Sequence, residues 1–137
     1  MAASIQTPPL APLAHERYIS LVTYRRTGAE VATPVWFAQV GTTLYVYSDA
    51  TAGKVKRIHN NQQVRFAACT LRGAVTGPFF DGRARIVTDP REIDIAEAAI
   101  GKKYGLTRRL LGLANKLSGL MRRHRPEAGI AYLAITA

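Results

Sequence analysis

The chain has a single cysteine, Cys69, among its 137 residues, so no intrachain disulfide can form and the disulfide-stapled secreted class is excluded. Acidic residues are scarce, with 9 Asp and Glu against 19 Lys and Arg and a formal net charge of +10. No apolar run approaches the ~18 residues needed to span a bilayer, and the first residues lack the basic-then-apolar pattern of a signal peptide. A soluble, cytoplasmic protein with no integral membrane segment is the expectation. The histidines His15, His59 and His124 are scattered without ligand spacing, which argues against a metal site. Gly53-Lys54 lacks both the upstream glycine and the following Ser or Thr of a nucleotide-triphosphatase loop.

What is present is a β-rich chain with a basic field. That field favours anionic partners of any kind, from nucleic acid and acidic lipid to phosphorylated or carboxylated small molecules. Residues 1–14, with Pro8, Pro9 and Pro12, show no periodicity and read as a loose arm, followed by one domain over 15–137. Tyr18 to Tyr24 are β-formers, Arg25 to Gly28 supply a turn, and Val31 to Val40 resume the strand pattern. Gly41-Thr42 connects into Leu44 to Ser48, where Leu44 and Val46 point one way and Tyr45 and Tyr47 the other. Thr51 to Asn61 read as a short helix capped by Thr51, with Val55 and Ile58 on one face. Val64 to Thr70 and Thr76 to Val87 read as strands, the second with bends at Gly77-Pro78 and Asp81-Gly82. Pro90 opens a helix to about 103, on which Ile93, Ala96 and Ile100 recur at helical spacing. A second, basic amphipathic helix is expected over 107–123, striped by Leu106, Leu110, Leu113, Leu117 and Leu120, and Ala128 to Thr136 form a closing strand.

The segment around Ser48 to Arg57 is the most informative. A turn of small and hydroxyl residues opening a helix, with Lys54, Lys56 and Arg57 in its first turns, directs backbone N–H groups and cations to one point. Such a point suits a phosphate. The same three cations would also serve as an ordinary solvated helix face. Trp36 and Tyr45 have an equally plain reading as core or interface aromatics, and Cys69 as a small buried hydrophobe. The basic helix carries no nucleic-acid-binding motif, so its leucine stripe is assigned to packing and nucleic acid is not expected as a partner.

Several words along the chain carry a family resemblance: Tyr18-Ile-Ser-Leu-Val-Thr-Tyr-Arg25, Ala32-Thr-Pro-Val-Trp-Phe37, Leu44-Tyr-Val-Tyr-Ser48, Gly53-Lys-Val-Lys-Arg-Ile58, Cys69-Thr-Leu-Arg-Gly73, Thr76-Gly77 and Lys103-Tyr104-Gly105. In order and spacing they resemble the split β-barrel superfamily of pyridoxamine 5′-phosphate oxidase, and most its actinobacterial branch of F420-dependent flavin/deazaflavin oxidoreductases. The resemblance implies a mainly β fold with short helices: an antiparallel, FMN-binding-like split β-barrel.

It further implies a homodimer with the cofactor at the subunit interface. The cofactor phosphate would lie near Ser48, Lys54, Lys56 and Arg57. The ring would lie along Thr33, Pro34, Val35 and Trp36, with Thr70, Arg72, Gly73, Thr76 and Gly77 nearby. FMN-dependent oxidases carry basic residues where this chain has Pro34-Val35-Trp36-Phe37, and the carboxylate-rich tail of F420 suits a basic protein, so F420 is favoured and FMN is the alternative. The implied activity is hydride transfer to a conjugated organic acceptor such as a quinone or a tetrapyrrole, biliverdin for example. Arg72 is the candidate to polarise the acceptor or anchor its carboxylate, with Lys56 behind it. The alternatives are a non-catalytic binding protein for F420, FMN or haem, and an FMN-dependent oxidase of the same superfamily.

Overall fold

In the computed structural model, which describes residue 13 and residues 15–105 and 129–137, the described residues form one seven-stranded sheet flanked by helices. The elements are β1 (Tyr18–Tyr24), β2 (Glu30–Val35), β3 (Phe37–Val40), β4 (Thr43–Asp49), α1 (Gly53–Asn60), β5 (Gln63–Cys69), β6 (Phe80–Ile86), α2 (90–105) and β7 (Ile130–Thr136).

Strand order in the sheet is β2-β1-β5-β6-β7-β4-β3, with every pairing antiparallel. The two edge strands, β2 and β3, are therefore neighbours in the chain, joined by Trp36 alone. A sheet whose opposite edges are one residue apart has to curl until those edges meet, which makes a barrel closed by a covalent link rather than by a full ladder. The fold is a split β-barrel, mainly β with helices.

This topology corrects the expectation of one continuous strand over Val31 to Val40. The chain leaves its pairing with β1 after Val35 and enters its pairing with β4 at Phe37. Pro34, which has no N–H to donate, is tolerated because β2 is an edge.

The barrel interior is filled by alternate residues of all the strands: Ile19, Leu21, Val35, Phe37, Leu44, Val46, Val64, Phe66, Ala68, Ala84, Leu133 and Ile135, joined by Ile58 of α1 and by Leu13. Gly82 lies where β7 and Phe66 close in, since a Cβ there would come within 2.8 Å of the Thr136 carbonyl and 3.0 Å of the Phe66 ring. A second apolar cluster lies outside the barrel, where Ala38, Tyr45, Tyr132 and Ala134 meet Ala96, Ile100 and Tyr104 of α2. The alternation expected in β4 thus holds, Leu44 and Val46 facing inward and Tyr45 outward onto α2.

Three further expectations need correction. Thr51 does not cap α1: the N-cap is Ala52, which offers no side-chain bond, and the Thr51 N–H and hydroxyl both donate to the Asp49 carboxylate. The strand expected from Thr76 begins only at Phe80, because the 70–76 segment folds back on the end of β5, with a Cys69–Val75 bridge and a Thr76 N–H to Ala68 carbonyl bond of 2.8 Å. The helix expected to stop near 103 runs to 105, as Tyr104 extends the 96, 100, 104 stripe by one more turn. The helix expected over 107–123 and its leucine stripe lie outside the described residues.

Candidate functional site

The split itself forms a pocket. At the end of β2 the chain crosses to β3, while on the other side β4 runs on past Trp36 toward α1, and the Tyr47 N–H reaches the Trp36 carbonyl at 3.2 Å. Between them lies a cavity of about 270 Å³ lined by Pro34, Val35, Trp36, Tyr47, Ser48, Asp49 and Lys54. Five of the expected binding residues, Pro34, Val35, Trp36, Ser48 and Lys54, are therefore brought to one place by the tertiary fold.

The α1 end of the pocket joins a helix start to a lysine and the Asp49 carboxylate. The N-cap is a residue without a polar side chain, and no acidic residue occupies the first turn, so the first helical N–H groups have no side-chain acceptor there. Lys54 sits at that terminus and lines the pocket. Burial first, and then the neighbouring Arg57 charge, hold its ammonium below the usual lysine range, against the opposing pull of Asp49. The Arg57 guanidinium folds back over Gly53, where a Cβ would stand 2.7 Å from its Nη1, and its Nε donates to the buried Thr23 hydroxyl at 2.6 Å. Burial, followed by the charge of Arg25, lowers Arg57 as well. Lys54 and Arg57 thus bring two cations to the start of α1, with the charge of Arg25 acting on Arg57, an arrangement that a bound anion would relieve. These residues fit a phosphate.

The other wall is aromatic. Trp36 stacks on Tyr104 of α2 with ring centroids 4.5 Å apart and planes within 5°, and it meets Tyr47 at 5.8 Å. The Tyr104 hydroxyl fixes this stack: it lies 2.6 Å from the Arg17 carbonyl and 2.9 Å from the Phe37 carbonyl, and accepts the Phe37 N–H at 3.1 Å. Burial pushes its pKa up to about 12. The pocket wall is consequently anchored to α2 at the residue where β2 gives way to β3.

Other expected residues stand further off. Thr33 lies in β2, opposite Leu21 of β1, and does not line the cavity. Lys56 is exposed on α1 and does not line the pocket. Ser48 is buried, its hydroxyl donating to the Asp49 carbonyl at 3.1 Å. Thr70, Arg72 and Gly73 form a tight turn after β5, closed by Gly73 N–H to Thr70 carbonyl and Ala74 N–H to Thr70 hydroxyl bonds. Gly73 adopts φ +92°, a left-handed conformation that favours glycine, and packs against Pro34, its would-be Cβ 3.8 Å from the ring. That contact is the link between the turn and the pocket. Arg72 is exposed on the turn, and Thr76 and Gly77 pack along Ala68.

Sequence reasoning missed Tyr104 as a site element, along with Arg25 and Thr23. The continued spacing from Ile100 to Tyr104 was the available signal for the first. Nothing local pointed to the other two, one bonded to Arg57 and one acting on it by charge, both far from it in sequence.

The architecture is that of a split β-barrel, and known structures are similar to it in fold. They include a conserved hypothetical protein from Mycobacterium tuberculosis (17% identity, 95% of this chain and 79% of that one, TM-score 0.65). A FAD-binding protein from Mesorhizobium loti matches at 16% identity over 94% of this chain and 84% of its own, with TM-score 0.61. The haem storage protein HutZ from Vibrio cholerae matches at 17% identity over 96% and 89%, with TM-score 0.62. No curated protein matches the sequence. Residues 10–122 match the pyridoxamine 5′-phosphate oxidase family model, and the chain belongs to that family.

Proposed function

We propose that this protein is an F420-dependent oxidoreductase that passes a hydride from reduced deazaflavin to a conjugated organic acceptor, such as a quinone or a tetrapyrrole. The observation that carries this reading is the pocket at the barrel split, where the uncapped start of α1 and Lys54 face Trp36 across one cavity. A phosphate held by the first N–H groups of α1, with Lys54 and Arg57, would leave the attached ring system to run along Pro34, Val35 and Trp36. When bound, the reduced deazaflavin supplies the hydride donor. The residues of this chain bind and orient: Trp36 gives a flat apolar surface fixed by Tyr104, and Lys54, Arg57 and Arg25 neutralise phosphate and carboxylate charge. Arg72, beside the pocket through Gly73 and Pro34, is proposed to polarise the acceptor or anchor its carboxylate.

Two copies of the chain, with the cofactor at their interface, would complete a site that is open on one side, and a cytoplasmic setting suits the lone cysteine. Among the described residues no helix is long and apolar enough to cross a membrane. F420 is preferred to FMN because Lys54 and Arg57 stand at the start of α1 while the strand along the ring is uncharged from Pro34 to Phe37. A second reading, a carrier of F420, FMN or haem without turnover, draws on the haem storage and FAD-binding proteins that share the fold.

Titration with F420 and with FMN separately, followed by Trp36 fluorescence and repeated at high salt, tests the reading. Salt-sensitive binding of F420 with weaker FMN binding is expected, and Lys54→Ala should weaken F420 binding by about tenfold, the effect of one lost charged hydrogen bond. Binding of neither would refute it. Oxidation of bound reduced F420 on adding an acceptor, slowed in Arg72→Ala with binding unchanged, separates the enzyme from the carrier.

A further inference from the structure

The outward faces of the two halves of the sheet differ. On β3, β4 and β7 the outward side chains meet α2, seated closely enough that burial, and next the charge of Arg17, bring the pKa of Lys103 down to about 8. On β2, β1 and β5 the outward residues are the alternates of those that fill the barrel. Pro34, Ser20 and Ala67 form one row across the strands, and Ala32, Val22 and Arg65 the next. None of the six belongs to either apolar cluster. A sheet face turned to water ordinarily carries polar side chains, yet these two rows hold a single charge, that of Arg65.

The segment after β5 adds apolar surface to the same side. Val75 pairs with Cys69, and the Phe79 ring lies 4.6 Å from the Arg65 guanidinium carbon, so both stand over outward residues of β5. Leu71, Val75 and Phe79 are 66, 44 and 38% exposed. They are three of the six large apolar side chains exposed among the described residues, and the other three are scattered over β3, α2 and β7.

Charge selects what can cover this face. The chain carries +10, so two copies repel unless they meet through a surface free of that excess. Here the exposed Arg72 follows the Cys69 end of β5, beside Pro34. Arg65 stands four residues back along the strand, about 13 Å away, and faces the carboxylates of Glu30 at 3.9 Å and Asp81 at 3.7 Å. The face is thus basic at the turn, apolar in the middle and acidic at the far end, where two carboxylates meet one guanidinium. A two-fold interface sets a patch against itself. An axis through the apolar middle lays the basic end of each copy on the acidic end of the other.

We propose that the outward side of β2, β1 and β5, with the 70–79 segment, seats a second copy of the chain about a two-fold axis. Leu71, Val75 and Phe79 fill the contact, and Arg72 of each copy faces the Glu30 and Asp81 end of the other. Pro34 belongs both to this face and to the lining of the pocket at the split, so the second copy stands at the edge of that pocket. The inference deepens the reading of a site completed by two copies and rests on it in that respect alone, since the pairing needs no cofactor.

Sedimentation equilibrium of the full chain without cofactor tests it. A dimer with a Kd of about 10 μM or tighter is expected. Leu71→Glu and Val75→Glu, both at exposed positions, should each weaken it by about tenfold or more while circular dichroism and the thermal midpoint are kept, whereas Ile95→Glu, on exposed α2 surface, should not. Arg72→Glu and Asp81→Arg should each weaken it too, and the two together should restore it, because the swapped charges again attract. A chain that stays monomeric at about 200 μM would overturn the proposal. So would a dimer that Ile95→Glu weakens while Leu71→Glu and Val75→Glu do not, or a double variant no tighter than its singles. Dimerisation that follows this pattern in a protein that fails to bind F420 would refute the cofactor reading and support this face.

Discussion

Tyr104→Phe removes a single oxygen from a side chain that both stacks on Trp36 and bonds to the Arg17 and Phe37 backbone, and its effect can be worked out from the geometry. That oxygen is buried, with the Phe37 N–H at 3.1 Å and the Phe37 and Arg17 carbonyls at 2.9 Å and 2.6 Å. Deleting it leaves the Phe37 N–H without its acceptor and the two carbonyls without their shared donor, at a site closed to water. Unpaired buried groups cost about 1–3 kcal/mol each, and only part of that is recoverable by local adjustment, so a net loss of about 2–3 kcal/mol is expected. With an unfolding entropy of about 2.1 cal/mol/K per residue, that loss lowers the thermal midpoint by about 7–10 °C. The ring of Phe keeps the stack on Trp36, so tryptophan emission should stay close to wild type. Tyr104→Leu removes the stack too, adding the roughly 0.5–1.5 kcal/mol of an aromatic pair and shifting the emission of Trp36, the one tryptophan of the chain. Differential scanning calorimetry and fluorescence read the two effects apart. A Tyr104→Phe midpoint within about 2 °C of wild type, less than 1 kcal/mol on the same scale, would refute the claim that this hydroxyl pins the β2–β3 crossing.

The remaining expectations follow from equally local geometry. Gly82→Ala places a methyl against the Thr136 carbonyl and Phe66 and should destabilise by about 1–3 kcal/mol, read from urea unfolding, whereas Gly105→Ala, with nothing within 4 Å, should not. The lowered pKa of Lys103, about 8 against an ordinary 10.5, means that between these values the unfolded chain binds more protons than the folded one. That group's contribution to stability should therefore rise with pH from about 8 to 10.5, and Lys103→Met should remove the rise; a pH-independent difference between the two proteins would contradict the burial argument. Glu92 receives two bonds from Arg85, at 2.8 and 2.6 Å, and one from the Tyr45 hydroxyl, tying α2 to β6 and β4, and the Arg85 pairing chiefly holds its carboxyl below the usual range. Its contribution is thus present above the ordinary carboxylate pKa and fades as pH falls through the lowered value. Glu92→Gln should cost about 1 kcal/mol at neutral pH, with the difference from wild type shrinking in acid titrations.

The sequence by itself determined what depends on near neighbours. Alternation set the inward and outward faces of β4, because successive side chains of a strand must point to opposite sides. Three- and four-residue spacing set the buried face of α2. The run from Ser48 to Arg57 announced a helix start rich in cations, since terminal N–H groups and basic side chains there are fixed by local geometry. The family words of the same segments led to the split barrel. Tertiary structure decided the rest. An unbroken β pattern from Val31 to Val40 gives no sign that pairing passes from β1 to β4 at Trp36, because pairing partners are chosen by the closure of the whole sheet. The cap of α1 went to Ala52 because Asp49 captured Thr51, a competition between two short-range bonds that composition cannot rank. Arg57 met Thr23 across 34 positions, and Tyr104 met Phe37 across 67. The chemistry of the pocket was legible in its separate residues, but its existence as one cavity, between an aromatic wall and a helix terminus, came only from the two sheet edges closing on a single residue.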